Sequence, residues 1–274
     1  MWVMKKILVP TDFSVASRNA EEYAASLAKV FGAEVSLLHV YREYLPATVG
    51  PEPWKVTTSD LHLENEKLIN REVEYLKGKY SIEIKADVQN GSGSSAINDV
   101  ANETQADLIV MGIRGDRRGI AGKTVLNTIR KTKTPVLIIP DGSKFTPIKN
   151  IVLAIDFNEM VDNACVDSLF EFYKKFNSSL RVLHVEEKAV ELKASEVPEK
   201  LHMGVVLSRF TYQYDRIESY EIEEGIQNFI DKHPTDLLVL IAHHHTIYER
   251  LFERIHTKSL SFKIRLPLLI LRHQ

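Results

Sequence analysis

An internal repeat constrains the fold of this chain more than any other feature of its sequence. Residues 6–40 read KILVPTDFSVASRNAEEYAASLAKVFGAEVSLLHV, and residues 150–185 read NIVLAIDFNEMVDNACVDSLFEFYKKFNSSLRVLHV. The match resumes in the same order in two later pairs of segments: DLIVM at 107–111 with DLLVL at 236–240, and TPVLII at 134–139 with LPLLIL at 266–271. A repeat defines the architecture before any single motif does.

The repeat predicts two domains of similar size. A chain of 274 residues accommodates two compact cores comfortably. Asp141-Gly142 and Pro147 mark a turn between the copies. We therefore predict one domain over residues 1–145 and a second over residues 146–274.

Each copy alternates short apolar runs with segments of helical periodicity. In the first copy the predicted strands are residues 7–10, 35–40, 82–88, 108–111 and 136–139. The predicted helices are residues 16–31, 61–79, 94–104 and 123–131, with Ser14 as the N-cap of the first. Strict alternation of this kind predicts the α/β class, with a doubly wound parallel sheet covered on both faces.

The second copy is less regular than the first. Its predicted helices cover residues 161–176, 192–208 and 221–232, and its third strand is predicted at residues 210–214. Cys165 falls inside the first of these helices, where we interpret it as a small buried apolar residue.

Charge and composition exclude several classes of partner. The formal net charge is −2, the pI is about 6.6, and no block of like charge occurs, so neither nucleic acid nor an anionic membrane is an expected partner. One cysteine cannot form an internal disulfide. The N-terminal residues lack a signal-peptide pattern, and no apolar run approaches the roughly 20 residues of a membrane span. We expect a cytoplasmic protein.

The candidate site lies in the loops after the first and fourth strands. In open parallel sheets, ligands bind beyond the carboxyl ends of the strands, where the strand order reverses. Glycines in such loops let backbone amides approach phosphate oxygens, and a helix N-terminus adds free donors. The residues that these loops contribute are Pro10, Thr11, Asp12, Gly112, Arg114, Gly115, Gly122, Lys123 and Thr124. The alternative is a tight turn with a solvated basic rim. A P-loop is excluded, because Arg117 stands where that motif requires its first glycine.

The ordered set of motifs resembles the universal stress protein family. The segments that carry the resemblance are ILVPTDFS, LLHV, DLIVMG with Gly112-x-x-Gly115, and TPVLIIP. The resemblance implies an adenine nucleotide alpha hydrolase-like fold with strand order 3-2-1-4-5. It also implies ATP binding in one branch of the family, and domain pairing through the last strands.

The resemblance also implies roles for individual residues. Asp12 would contact the ribose or adenine, and Val40 would offer backbone groups to the adenine. The phosphates would be lined by Gly112, Gly115, Gly122 and Thr124. The glycine loop is three residues shorter than the pattern of the ATP-binding branch, and Lys123 replaces that pattern's small hydroxyl residue.

The second copy has lost this pattern. It keeps Asp156 in the position of Asp12, but its fourth strand runs into His243-His244-His245 without a glycine. We expect no nucleotide there, and no metal, because adjacent residues of an extended chain point in opposite directions. The strand residues His39 and His184 recur at matching positions and are predicted to be buried and hydrogen-bonded.

Three functions are compatible with these patterns. The first is a non-enzymatic stress-response protein that binds ATP or another adenine nucleotide in its first domain, with the second domain as a structural partner. The second is the same scaffold without nucleotide, acting through contacts with an unidentified protein. The third is an ATP-hydrolysing or nucleotidyl-transfer enzyme. No nucleophile with its base and no paired carboxylates support the third. The last strands are expected to pair within the chain, and further pairing into a homodimer stays open.

Overall fold

The computed structural model describes residues 3–42, 58–113, 120–155, 163–187, 204–242 and 265–272. The first half of the chain contains β1 (Lys6–Thr11), α1 (Val15–Phe31), β2 (Glu34–Tyr41), α2 (Thr58–Tyr80), β3 (Ile84–Asn90), α3 (Gly93–Thr104), β4 (Leu108–Ile113), α4 (Ile120–Lys131) and β5 (Val136–Pro140). The second half contains β6 (Asn150–Ile155), α5 (Asp167–Phe176), β7 (Ser179–Glu187), a 3₁₀ turn (Leu207–Arg209), β8 (Tyr212–Ser219), α6 (Ile222–Lys232), β9 (Leu237–Ala242) and β10 (Leu268–Arg272).

All ten described strands form one sheet with the order β3-β2-β1-β4-β5-β10-β9-β6-β7-β8. Each half on its own has the order 3-2-1-4-5, and every pair within a half is parallel, as the alternating pattern predicted. The halves join at an antiparallel pair, in which Leu269 of β10 lies opposite Leu137 of β5. The expected pairing of the last strands is therefore present within the chain. The five strands of each half thus belong to one ten-stranded sheet.

The apolar core is continuous across the two halves on both faces of the sheet. One buried cluster includes Leu137 of β5 and Leu269 of β10, and the cluster on the opposite face includes their neighbours Ile138 and Leu268. Successive strand residues point to opposite faces, so the joined strands contribute to both clusters. The edges that would be exposed in separate halves are thereby removed from water.

Aromatic side chains also connect the halves. The ring of Phe31 at the end of α1 lies 5.5 Å from that of Phe172 in α5. Phe145, at the predicted domain boundary, packs with Tyr23 of α1 at 5.2 Å and with Phe176 of α5 at 6.1 Å. The connection between β5 and β6 is therefore fixed by packing at this residue.

The first helix has defined caps at both ends. The Ser14 hydroxyl accepts a hydrogen bond from the backbone N–H of Ser17 at 3.2 Å, which confirms the predicted N-cap. At the other end Gly32 has a φ of +72°, and its N–H donates to the Ala28 carbonyl at 2.8 Å. This left-handed position is one that glycine adopts without a steric penalty.

The structure corrects the sequence prediction at three places in the second half. Helix α5 begins at Asp167, so Cys165 lies in the preceding turn, although it is buried as predicted. The third strand is Tyr212–Ser219 and not residues 210–214. The prediction missed its C-terminal part because an edge strand carries many charged residues, which conceal the alternating pattern. Of the helix predicted at 192–208, residues 204–206 are helical as expected, but the chain continues as a 3₁₀ turn at Leu207–Arg209, and residues 192–203 lie outside the described residues.

Within the described part of the chain, no helix combines the length and apolar character that a membrane crossing requires.

Candidate functional site

A cavity of about 160 Å³ opens at the carboxyl ends of β1, β2 and β4. Six of the residues singled out from the sequence line it: Pro10, Thr11, Asp12, Val40, Gly112 and Thr124. Gly122 is buried and Lys123 is exposed in the first turns of α4, and neither lines the cavity. Arg114 and Gly115 lie outside the described residues.

Sequence reasoning missed the remaining wall of the cavity. The missed residues are Ser14, Ala16, Ser17, Leu38, Gly93, Ile97, Met111 and Val125. The N-cap position of Ser14 was visible in the sequence. The convergence of the wall residues was not, because it depends on how α3 packs against α4 and β2.

Three helices point their N-terminal segments toward this cavity. Helix α1 contributes Ser14 and Ser17, α3 contributes Gly93, and α4 contributes Thr124. The first N–H groups of a helix have no partner within the helix and carry a partial positive charge. The cavity is therefore suited to an anion at this side. Leu38, Ile97 and Met111 give the other side an apolar wall.

Gly112 is required by the packing of α1 against β4. A β-carbon at this position would lie 2.1 Å from the carbonyl oxygen of Ala16 and 3.0 Å from the backbone nitrogen of Ser17. Both atoms belong to backbone and cannot move aside as a flexible side chain would. The glycine predicted to approach a ligand thus also lets the first turn of α1 lie directly on the end of β4.

Hydroxyl groups hold the loop between β1 and α1. The Thr11 hydroxyl donates to the Ser17 hydroxyl at 3.2 Å and accepts from the Phe13 N–H at 3.0 Å. Phe13 has a φ of +60°, which is uncommon for a residue with a large side chain. Its ring lies 4.5 Å from that of His39, and His39 Nδ1 lies 2.8 Å from the Thr11 carbonyl oxygen. The loop between β1 and α1 is therefore fixed by contacts with both α1 and β2.

Asp12 is the ionisable side chain among the residues that line this cavity. Burial raises the pKa of this carboxyl, but hydrogen bonds from Ser14 and Ser17 outweigh it and hold the pKa below its usual value. Its Oδ1 accepts from the Ser14 N–H at 3.0 Å. Asp12 is therefore ionised at neutral pH, and its free acceptor capacity suits hydroxyl or amine donors of a ligand.

A second acidic residue lies behind the loop. Glu21 of α1 is 1% exposed, and its Oε1 atom has no hydrogen-bond partner within the described structure. Burial raises the pKa of Glu21 to about 7, the nearby Thr11 hydroxyl lowers it in part, and the Glu72 carboxylate raises it further. Sequence reasoning missed Glu21, because a charged residue within a helix is normally solvated.

The second half differs from the first at positions that form this cavity. Ile241 of β9 occupies the position that matches Gly112, and it is buried. The start of α1 at Val15 matches residue 159, and α5 begins at Asp167, eight positions later (167 − 159). The described residues between them, 163–166, form a turn. A β-carbon at 241 is incompatible with the close helix contact seen at Gly112.

The paired histidines occupy matching places in the two halves. His184 is buried, with Nδ1 3.3 Å from the Ile155 carbonyl oxygen, as predicted. His39 makes the matching contact but is only half-buried, because its ring lies beside the open cavity loop. His243, His244 and His245 lie outside the described residues. Over the residues that are described, no three His, Cys, Asp or Glu side chains are grouped to hold a metal.

The doubly wound sheet, with a cavity at its switch point, defines an α/β protein with a Rossmann-like fold. The sequence model of the universal stress protein family matches residues 4–140, which is half of the chain. The chain belongs to the universal stress protein family.

Individual relatives agree with this assignment. A universal stress protein of Methanocaldococcus jannaschii is 29% identical over 145 residues, covering 51% of this chain and 84% of the relative. One from Synechocystis sp. is 30% identical over 145 residues, covering 50% of this chain and 87% of the relative. The crystal structure of a universal stress protein from Archaeoglobus fulgidus aligns over 98% of both chains with a TM-score of 0.73. At 16% identity that structure shows a shared fold for the whole chain.

Proposed function

We propose that this protein is a non-enzymatic, cytoplasmic stress-response protein that binds ATP or another adenine nucleotide in its first half. The observation that carries the proposal is a cavity in which the N-terminal turns of α1 and α3 and Thr124 of α4 meet an apolar wall and one ionised carboxylate. A nucleotide combines an apolar base, hydroxyl donors on its ribose and an anionic phosphate chain. Each part has a complementary surface in this cavity.

The adenine fits the apolar side of the cavity, between Leu38, Val40 and Ile97. The ribose hydroxyls are donors for the Asp12 carboxylate, which would repel a phosphate. The phosphates fit the side formed by Gly112 and Thr124, because the Thr124 hydroxyl can donate to a phosphate oxygen and α3 begins beside it at Gly93. Arg114 and Gly115 follow Gly112 closely in the sequence, and Gly122 and Lys123 of α4 directly precede Thr124.

The size of the cavity limits how much of a nucleotide it encloses. Its volume of about 160 Å³ is below the roughly 300 Å³ at the lower end of pockets that bury drug-sized ligands. We infer that the described residues enclose the nucleoside part and that the phosphate chain extends through the open mouth. Affinity is then modest.

We propose that the second half binds no nucleotide. Ile241 closes the position of Gly112, and the first turn of α6 carries Glu223 and Glu224 where α3 has small residues. Carboxylates at this helix end take the place that a bound anion would occupy. The stoichiometry is therefore one nucleotide per chain.

The absence of catalysis is part of the proposal. General acid–base or nucleophilic chemistry needs a positioned partner for the reacting group. Asp12 lines the cavity without a second ionisable side chain from the described residues. Nothing in this lining therefore supports turnover of the nucleotide.

Isothermal titration calorimetry with ATP, ADP and AMP tests the proposal. We expect one site per chain and roughly a tenfold to hundredfold loss of affinity in Asp12→Ala, since hydrogen bonds to charged groups contribute on the order of 1.5–3 kcal/mol. Asp99→Ala is the matched control, because Asp99 is an exposed aspartate of α3 outside the cavity lining.

Two other results would replace the proposal. No heat with any of the three nucleotides would favour a scaffold that acts through contacts with another protein. ATP hydrolysis that is lost in Asp12→Ala would establish an enzyme.

A further inference from the structure

The last strand of the second half reaches a helix of the first half. Strand β10 runs antiparallel to β5, so that Ile270 lies opposite Val136 at the start of β5. The next residues of β10 therefore approach the turn that connects α4 to β5. Arg272 ends the strand at this place.

The Arg272 guanidinium closes the C-terminal end of α4. Its Nη1 donates to the carbonyl oxygen of Ile129 at 2.8 Å, to that of Arg130, and to that of Thr132 at 3.2 Å. The last carbonyl groups of a helix have no partner within it and carry a partial negative charge. One cation from the second half satisfies several of them at once.

The N-terminal half of α4 belongs to the candidate site. Thr124 and Val125 line the cavity, and α4 is a single helix of 12 residues, about 18 Å long. A helix of this length moves as a rigid element. Fixing its C-terminal end therefore also fixes the position of Thr124 relative to Gly112.

A second contact connects the same end of α4 to the cavity. The Lys131 ammonium group donates to the Ser95 hydroxyl of α3 at 2.7 Å. Ser95 lies two positions after Gly93, which lines the cavity. The C-terminal turn that Arg272 holds is thus bonded to the N-terminal turn of α3.

The residue of the first half that matches Arg272 cannot make the same contact to the second half. The repeat aligns Arg272 with Pro140, which carries no cation and whose carbonyl oxygen accepts instead from the Asn19 amide at 3.1 Å. The clamp therefore runs from the half without the cavity to the half that has it.

We propose that Arg272 is a positioning residue for the nucleotide site, which the second half completes by holding α4 at the phosphate side of the cavity. This inference rests on the proposed function. It gives the second copy a role in ligand binding without a ligand contact of its own.

The test separates the phosphate side of the site from the nucleoside side. ATP and adenosine are titrated into the full-length protein and into Arg272→Gln, with thermal unfolding measured in parallel. We expect Arg272→Gln to weaken ATP binding about threefold to tenfold and to change adenosine affinity less than twofold. Arg272→Lys, which keeps the cation, is expected to recover most of the loss. Arg216→Gln is the matched control, since Arg216 pairs with Glu186 at the far edge of the sheet.

The outcomes distinguish the two proposals. An unchanged ratio of ATP to adenosine affinity in Arg272→Gln, with or without a lower unfolding temperature, would overturn the positioning role and leave a purely structural cap. Parallel loss of both ligands would also overturn it. Failure of the unaltered protein to bind either ligand would overturn the proposed nucleotide site itself.

Hydrogen exchange in the ligand-free protein gives a readout independent of binding. Arg272→Gln should accelerate exchange at residues 123–126 severalfold relative to α1, and equal rates would contradict the role of Arg272.

Discussion

Gly112 at the end of β4 lies against the backbone of Ala16 in α1, so closely that a β-carbon at position 112 would stand 2.1 Å from the Ala16 carbonyl oxygen. The contact brings the N-terminal turn of α1 to the mouth of the cavity and places Ser17 over Thr11. In the second half, Ile241 stands at the matching position. This one pair therefore accounts for much of the difference between the two copies.

We expect Gly112→Ala to lower the free energy of unfolding by about 2 to 3 kcal/mol, the scale of an overpacked core position. The clash is with backbone, so α1 has to shift away from β4. Urea denaturation measures the loss. Gly78→Ala is the control, because a β-carbon there meets nothing within 4 Å and alanine is the better helix former. Equal stability of Gly112→Ala and the unaltered protein would contradict the packing account.

Glu21 makes the free energy of unfolding depend on pH near neutrality. Its pKa is about 7 in the folded protein, above the ordinary value of 4.5, so the folded state holds its proton more tightly. The contribution of Glu21 to the free energy of unfolding is fully present below pH 4.5. It is lost as the pH rises through 7, by about 3 kcal/mol in total. We expect Glu21→Gln to be more stable than the unaltered protein at pH 8.5, with a smaller difference at pH 5.5.

Glu22→Gln is the control for this pH dependence. The ammonium group of Lys79 holds the pKa of Glu22 below its usual value, so its contribution is lost only toward acidic pH. Urea midpoints measured at both pH values check the pair of variants. A Glu21→Gln curve parallel to that of the unaltered protein would show that Glu21 does not titrate near neutrality.

Ser14→Ala removes the N-cap of α1, whose hydroxyl accepts from the Ser17 N–H. We expect a loss of about 1 kcal/mol in the free energy of unfolding, as for other N-cap substitutions. Ser14→Asp keeps an acceptor and should restore most of it. Circular dichroism during thermal unfolding measures all three proteins. Equal losses in the alanine and aspartate variants would show that the hydroxyl does not act as a cap.

A fragment of residues 1–145 is expected to self-associate. It would expose the edge of β5 that pairs with β10 in the intact chain, where Leu137 and Ile138 are fully buried. Unpaired apolar edges of this kind pair with a second copy. Light scattering after size exclusion should give the mass of a dimer, and Leu137→Lys should reduce it to that of a monomer. A monomeric unaltered fragment at micromolar concentration would contradict the expectation.

Much of the fold followed from local pattern, because period and punctuation are properties of short segments. The alternation in the first half predicted its helices and strands, and β1 extends only to Lys6 and Thr11 beyond the predicted residues 7–10. The pattern was weaker at Tyr212–Ser219, where an edge strand has few apolar residues. It was also weaker before Asp167, where no local signal shows that the helix starts late.

The sequence by itself determined the repeat, the parallel sheet of each half and the end of the sheet at which a ligand would bind, because these follow from periodicity and from the direction of parallel strands. The tertiary structure alone decided that Ala16 lies on Gly112, that Glu21 is buried, and that Arg272 closes α4 across more than a hundred residues of sequence. Contacts between distant segments depend on strand register and on how closely helices pack. No local pattern encodes either quantity.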